Sequence, residues 1–137
     1  MPPATRSPSS AARVLYAGVI ASTLIISVGA LATSVTLGTA TPVTGWPDWV
    51  ALVVGSGSFV AGMQRRKGLK RPAGGQSADQ WWGENAGRVL TIWGLLELAA
   101  IAGALIVFAT GHLTVFVALA VLALAALLTL SPGRVAG

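Results

Sequence analysis

The run Val89–Ala109, VLTIWGLLELAAIAGALIVFA, constrains the fold of this chain more than any other stretch. It is twenty-one residues long and holds a single charged group, Glu97, near its centre. At about 1.5 Å of rise per residue, a helix of that length crosses the hydrocarbon core of a bilayer. Hydrocarbon offers a carboxylate no hydrogen bonds, so a charge-bearing residue at mid-span is costly and usually functional. Glu97 is therefore the first candidate site residue, as an ion-binding group.

Composition sides with that reading. The 137 residues are 54% hydrophobic and only 9% charged, where a soluble domain carries about 25% charged residues. Neither a soluble core nor a disordered chain combines those values, and the length allows one membrane domain. Cysteine is absent, which excludes disulfides, thiolate metal sites, covalent haem attachment and thiol catalysis. The single His112 cannot build a two-histidine haem or metal site alone. No metal and no cofactor is expected.

Val14–Leu37, Trp49–Met63 and Leu113–Leu130 are the other apolar runs. They divide the chain into a disordered cytoplasmic tail over residues 1–12 and a four-span membrane domain over 13–131. The spans fall at about 14–37, 47–63, 89–110 and 113–130, with a cytoplasmic loop over 64–88 and a cytoplasmic tail over 132–137. Two runs have rival readings. Residues 1–32 also resemble a cleaved signal peptide ending at Ala30-Leu31-Ala32, although the apolar stretch outruns an h-region of about 7–15 residues. Gly55-Ser56-Gly57-Ser58 lowers helix propensity in the middle of the second run, which leaves a re-entrant or broken segment open.

Small residues mark candidate packing faces. Gly18 and Ser22 lie four apart in the first run, as do Ala17 and Ala21, and Gly29 and Thr33. Gly55, Gly57 and Gly62 serve the second run. Such stripes let helix backbones approach closely in lipid. Trp46 and Trp49 bracket the entry to the second span, and Asp48 sits where an early-turn acid would. In the loop, Ser77 and Gln80 have capping-box spacing, followed by Trp81 and Trp82. This predicts a short helix or turn in the headgroup layer, with the indoles as interfacial anchors or a docking site.

All nine Lys and Arg residues fall on one side of a four-span chain: Arg6, Arg13, Arg65, Arg66, Lys67, Lys70, Arg71, Arg88 and Arg134. The positive-inside rule places both termini and the long loop in the cytoplasm. The net charge of +5 then serves topology and anionic lipid headgroups at Arg65–Arg71, with no nucleic acid as partner. Arg13-Val14-Leu15 and Arg88-Val89-Leu90 hint at a duplicated hairpin, on three matched residues.

Glu97 has three readings. A carboxyl in apolar surroundings holds its proton more tightly than in water, which suits proton or cation carriage. It also suits a neutral packing element bonded to Ser22, Thr23, Ser56, Ser58 or Trp93. The third reading is a contact with another subunit.

Residues Arg88–Arg134 resemble the C-terminal half of small uncharacterised four-helix membrane proteins found in bacteria. The matching features are Gly94-Leu95-Leu96-Glu97, Thr110-Gly111-His112-Leu113 and Pro132-Gly133-Arg134. That resemblance implies the fold and brings no activity. A second resemblance is to the rotor-ring subunit c of ATP synthases. Gly55, Gly57 and Gly62, the basic Arg65–Arg71 loop and Glu97 fall in that family's order, which implies a proton-carrying Glu97. The loop here is longer and holds two tryptophans.

The expectation is an all-α integral membrane bundle of four transmembrane helices, N-in and C-in, in the cell inner (plasma) membrane. Its expected role is a structural or accessory subunit that associates with other membrane subunits or copies of itself. Proton or ion translocation through Glu97 is the alternative. No Ser/His/Asp set and no nucleotide-binding glycine loop suggests an enzyme.

Overall fold

The structure, a computed structural model, describes residues 7–37, 45–111 and 113–136. These form helices α1 (Pro8–Leu37), α2 (Trp46–Lys67), α3 (Ala78–Thr110), α4 (Leu113–Thr129) and α5 (Pro132–Val135), with no strand among the described residues. Residues 1–6 of the expected tail, residues 38–44 between the first two expected spans, His112 and Gly137 lie outside the described residues.

The stretch that dominates the sequence also dominates the fold. Helix α3 is the hub, packed against α1, α2 and α4. Gly62 of α2 lies beside Leu95 and Leu96, and Gly55 beside Ala99, so α2 runs antiparallel to α3. Gly103 meets Phe116 of α4, while Trp93 reaches Leu130, so α4 is antiparallel as well. Helix α1 is parallel to α3: Ser9 bonds Asp79, and Ser22 bonds Glu97. Two helices, residues 8–36 and Ala78–Thr110, are long and apolar enough to cross a membrane, and Leu113–Thr129 is a shorter apolar helix.

Several boundaries differ from the sequence reading. Residues Pro8–Ala12, expected as disordered tail, are the first turns of α1. Ser7 starts the helix: its Oγ accepts from Ser10 N at 3.4 Å. Pro8 follows, where a missing N–H costs nothing. Asp79 then accepts the Ser9 N–H at 3.0 Å, which satisfies another unpaired donor of the first turn. Helix α2 passes unbroken through Gly55-Ser56-Gly57-Ser58, contrary to the broken alternative. The loop expected over 64–88 shrinks, because α2 continues to Lys67 and α3 begins at Ala78. Ser77 and Gln80 form the expected capping box. It starts the 33-residue α3 itself, not a separate short element. The expected tail at 132–137 includes α5, whose Pro132 is buried.

At the far end of α3, Gly111 adopts φ 74° and its N–H returns to Val107 O. Only glycine takes that left-handed conformation without strain, and it stops the helix.

Candidate functional site

Glu97 is half-buried between α3 and α1, and the Ser22 hydroxyl donates to its Oε1. Nine residues separate Glu97 from Arg88 and Ser22 from Arg13, about 13.5 Å of helix in each case. The two parallel helices thus bring these side chains to one level. Three of the other four proposed partners, Thr23, Ser56 and Trp93, are engaged elsewhere. Thr23 Oγ1 donates to Val19 O at 2.8 Å, and exposed Ser56 donates to Leu52 O. Trp93 Nε1 donates to Leu130 O at 3.2 Å. Buried Thr23, Ser27, Ala30 and Ser34 continue the inner face of α1. The core around Glu97 is therefore small and hydroxyl-bearing on one side, aromatic on the other.

The aromatic side has a structural task. Tyr16, Trp93 and Trp82 pack in series, with ring centroids 5.2 Å and 5.9 Å apart. Tyr16 OH donates to Leu127 O at 3.0 Å. Together with Trp93 it holds carbonyls at the C-terminal end of α4: Leu127 O, which also accepts the Leu130 N–H at 2.9 Å, and Leu130 O just beyond the helix. Sequence reasoning missed this role for Tyr16 because its hydrogen-bond partner Leu127 is 111 residues away in the chain.

The tryptophan expectations divide. Trp46 and Trp49 are 78% and 63% exposed. Trp81 and Trp82 are buried at 1% and 2% exposure, which corrects their reading as anchors. They point inward because α3 starts three residues before Trp81 and carries both indoles into the hub. Trp81 Nε1 donates to Lys70 O at 2.9 Å, and its ring packs edge-on against Trp82.

The glycines divide too. A Cβ on Gly55 would lie 2.6 Å from Leu119 Cδ1, and on Gly62 3.4 Å from Leu96 Cδ2. Gly18 and Gly57 have nothing within 4 Å of that position, so within one chain they are open surface, not packing sites. The tightest backbone approach is at Gly103, which the sequence reading passed over: its Cβ would lie 3.1 Å from Phe116 Cα.

This chain matches no protein-family model, and no curated protein or solved structure is detectably similar to it.

The cations form the second feature. Lys70, Arg71 and Arg88 line one cleft, Arg65 and Arg88 a second, and Arg66, Lys70, Arg71 and Arg134 a third. These clefts adjoin at the end of the bundle where α2 and α4 finish and α3 starts. Asp48 lies at the opposite end, where Thr110 Oγ1 donates to it at 3.4 Å. Among the described residues no three His, Asp or Glu side chains assemble as a metal site.

Proposed function

We propose that this is a four-span plasma-membrane protein with both termini in the cytoplasm, and that it works as a structural or accessory subunit through helix association. One observation carries the membrane part: large apolar side chains stand exposed along the outer faces of the helices. Ile25, Val28 and Val35 of α1, Val53 of α2 and Val121 of α4 are 59–82% exposed. Water would penalise that surface by about 25 cal/mol for each Å² of apolar area, whereas lipid accepts it. Helices α2 and α4 lie along α3 in antiparallel sense, so if α3 crosses the hydrocarbon they cross with it. The clustering of cations at one end supports a single cytoplasmic face.

Three features favour association over catalysis or transport. Glu97 is bonded to Ser22 and serves as a clasp between α1 and α3. Each of the other described Asp, Glu, Lys and Arg residues lies towards one or the other end of the bundle. Gly18 and Gly57 leave smooth patches on the outer faces of α1 and α2, where another helix could approach. The test is purification in mild detergent with crosslinking. A defined oligomer or co-purifying membrane subunits is the expected result, and a monomer without partners in every detergent sinks the reading. The alternative, ion carriage through Glu97, predicts a proton flux in proteoliposomes that Glu97→Gln abolishes. A parent protein without flux eliminates it.

A further inference from the structure

The basic end of the bundle holds a built cleft that the association reading does not use. Trp81, Glu84, Asn85 and Arg88 recur at helical spacing and share one face of α3. The connection between α2 and α3 folds back over that face and is pinned there at two points. Trp81 Nε1 holds Lys70 O at 2.9 Å. Gln76 Nε2 holds Glu84 Oε2 at 3.2 Å, after a turn in which Gly75 takes φ 87°. The pins suspend Lys70 and Arg71 opposite Arg88 across a cleft of about 410 Å³. Arg65 adjoins Arg88 from the other side. Three cations thus face one carboxylate, and that carboxylate is already engaged by Gln76.

We propose that this cleft binds the phosphate of one anionic phospholipid headgroup. The inference rests on the membrane reading above and goes beyond the diffuse attraction that any basic loop exerts. Convergent Arg and Lys side chains suit a phosphate's several acceptor oxygens. The volume lies within the range of small-ligand clefts, about 300–1,000 Å³. On α3 above Arg88, Thr91, Gly94 and Leu98 are exposed. Acyl chains attached to a phosphate held at Arg88 would therefore run alongside lipid-facing helix, an advantage that free phosphate lacks.

The full-length protein in neutral detergent is examined by native mass spectrometry. The probes are dioleoyl phosphatidylglycerol, dioleoyl phosphatidylcholine and inorganic phosphate. Phosphatidylglycerol should be retained in preference to phosphatidylcholine, one molecule per chain. A cation near a membrane surface contributes roughly a fivefold effect. Arg88→Gln should therefore weaken retention at least about fivefold, and Lys70→Gln with Arg71→Gln about thirtyfold. All three side chains are exposed, so neither variant threatens the fold. Arg13→Gln, outside the cleft, should change retention less than about twofold, where a purely diffuse field would treat it like Arg88. Equal losses at Arg13 and Arg88, or no preference for phosphatidylglycerol, overturn the proposal. Inorganic phosphate binding as tightly as the lipid overturns the lipid source. Alkaline-carbonate extraction of membranes is a separate check: release of the protein into the supernatant refutes the membrane reading itself, whatever the lipid result.

Discussion

Placing one methyl group at each of three glycines gives a graded test of how this bundle is packed. At Gly103 the new Cβ would lie 3.1 Å from Phe116 Cα, 3.3 Å from Leu119 Cβ and 3.4 Å from Phe116 O. Two of these atoms are backbone, so α4 as a whole must move away from α3. Overpacking of this kind costs about 1–3 kcal/mol, and the better helix propensity of alanine returns up to about 1 kcal/mol. With the full return, Gly103→Ala should therefore destabilise the fold by about 1 kcal/mol, within a range of about 0–2 kcal/mol. At Gly55 the contact is shorter, 2.6 Å, but it is made by Leu119 Cδ1, the tip of a flexible side chain. A rotamer change relieves it, so Gly55→Ala should fall near zero, within about 1 kcal/mol. At Gly57 nothing lies within 4 Å, and Gly57→Ala should stabilise the single chain by up to about 1 kcal/mol. Reversible unfolding in mixed micelles, followed by helical circular dichroism, measures all three. A Gly103→Ala that stabilises the fold as Gly57→Ala should, or a Gly57→Ala that destabilises it, refutes the packing argument. Loss of oligomer by Gly57→Ala with the chain's own stability intact would identify the outer face of α2 as the association surface.

Three further outcomes follow from the hydrogen bonds. Trp93→Phe keeps the ring stack with Tyr16 and Trp82 but leaves Leu130 O unpaired. It should cost about 1–3 kcal/mol in the same unfolding assay, and a cost below about 0.5 kcal/mol would count against the carbonyl role. A double-mutant cycle on Ser22→Ala and Glu97→Leu, which removes the acceptor oxygen, should return a coupling of about 0.5–3 kcal/mol if the clasp between α1 and α3 holds; additive effects would show that it does not. Hydrogen bonding to Ser9 holds the Asp79 carboxyl below its ordinary value of 3.8. A depressed carboxylate stabilises the fold fully above the unfolded value and loses that contribution as pH falls through the folded one. Hydrogen exchange at the Ser9 amide should therefore be protected at neutral pH and lose protection only below about pH 3.8, in a manner that Asp79→Ala abolishes. A protection profile that is the same in the variant would remove Asp79 as the cap of α1.

The all-helical class and the identity of the long central helix were readable from the amino acids alone. So were the Ser77–Gln80 cap, the glycine stop at Gly111 and the candidacy of Glu97. Each depends on neighbours within a few residues or on an unbroken apolar run, and local chemistry of that kind is written along the chain. The start of α1 at Pro8 was also locally encoded, in Ser7 followed by proline, but a Pro- and Ser-rich composition concealed it. Tertiary structure decided which groups face each other. Trp81 and Trp82 have the composition of an interfacial belt, and only the continuation of α3 through them turns both inward. Gly55 and Gly57 look alike in sequence, yet one meets Leu119 and the other meets nothing, because two helical positions apart is about 200° of rotation. Ser22 becomes the partner of Glu97 because α1 and α3 run parallel in matched register, and no pattern within either helix specifies that alignment.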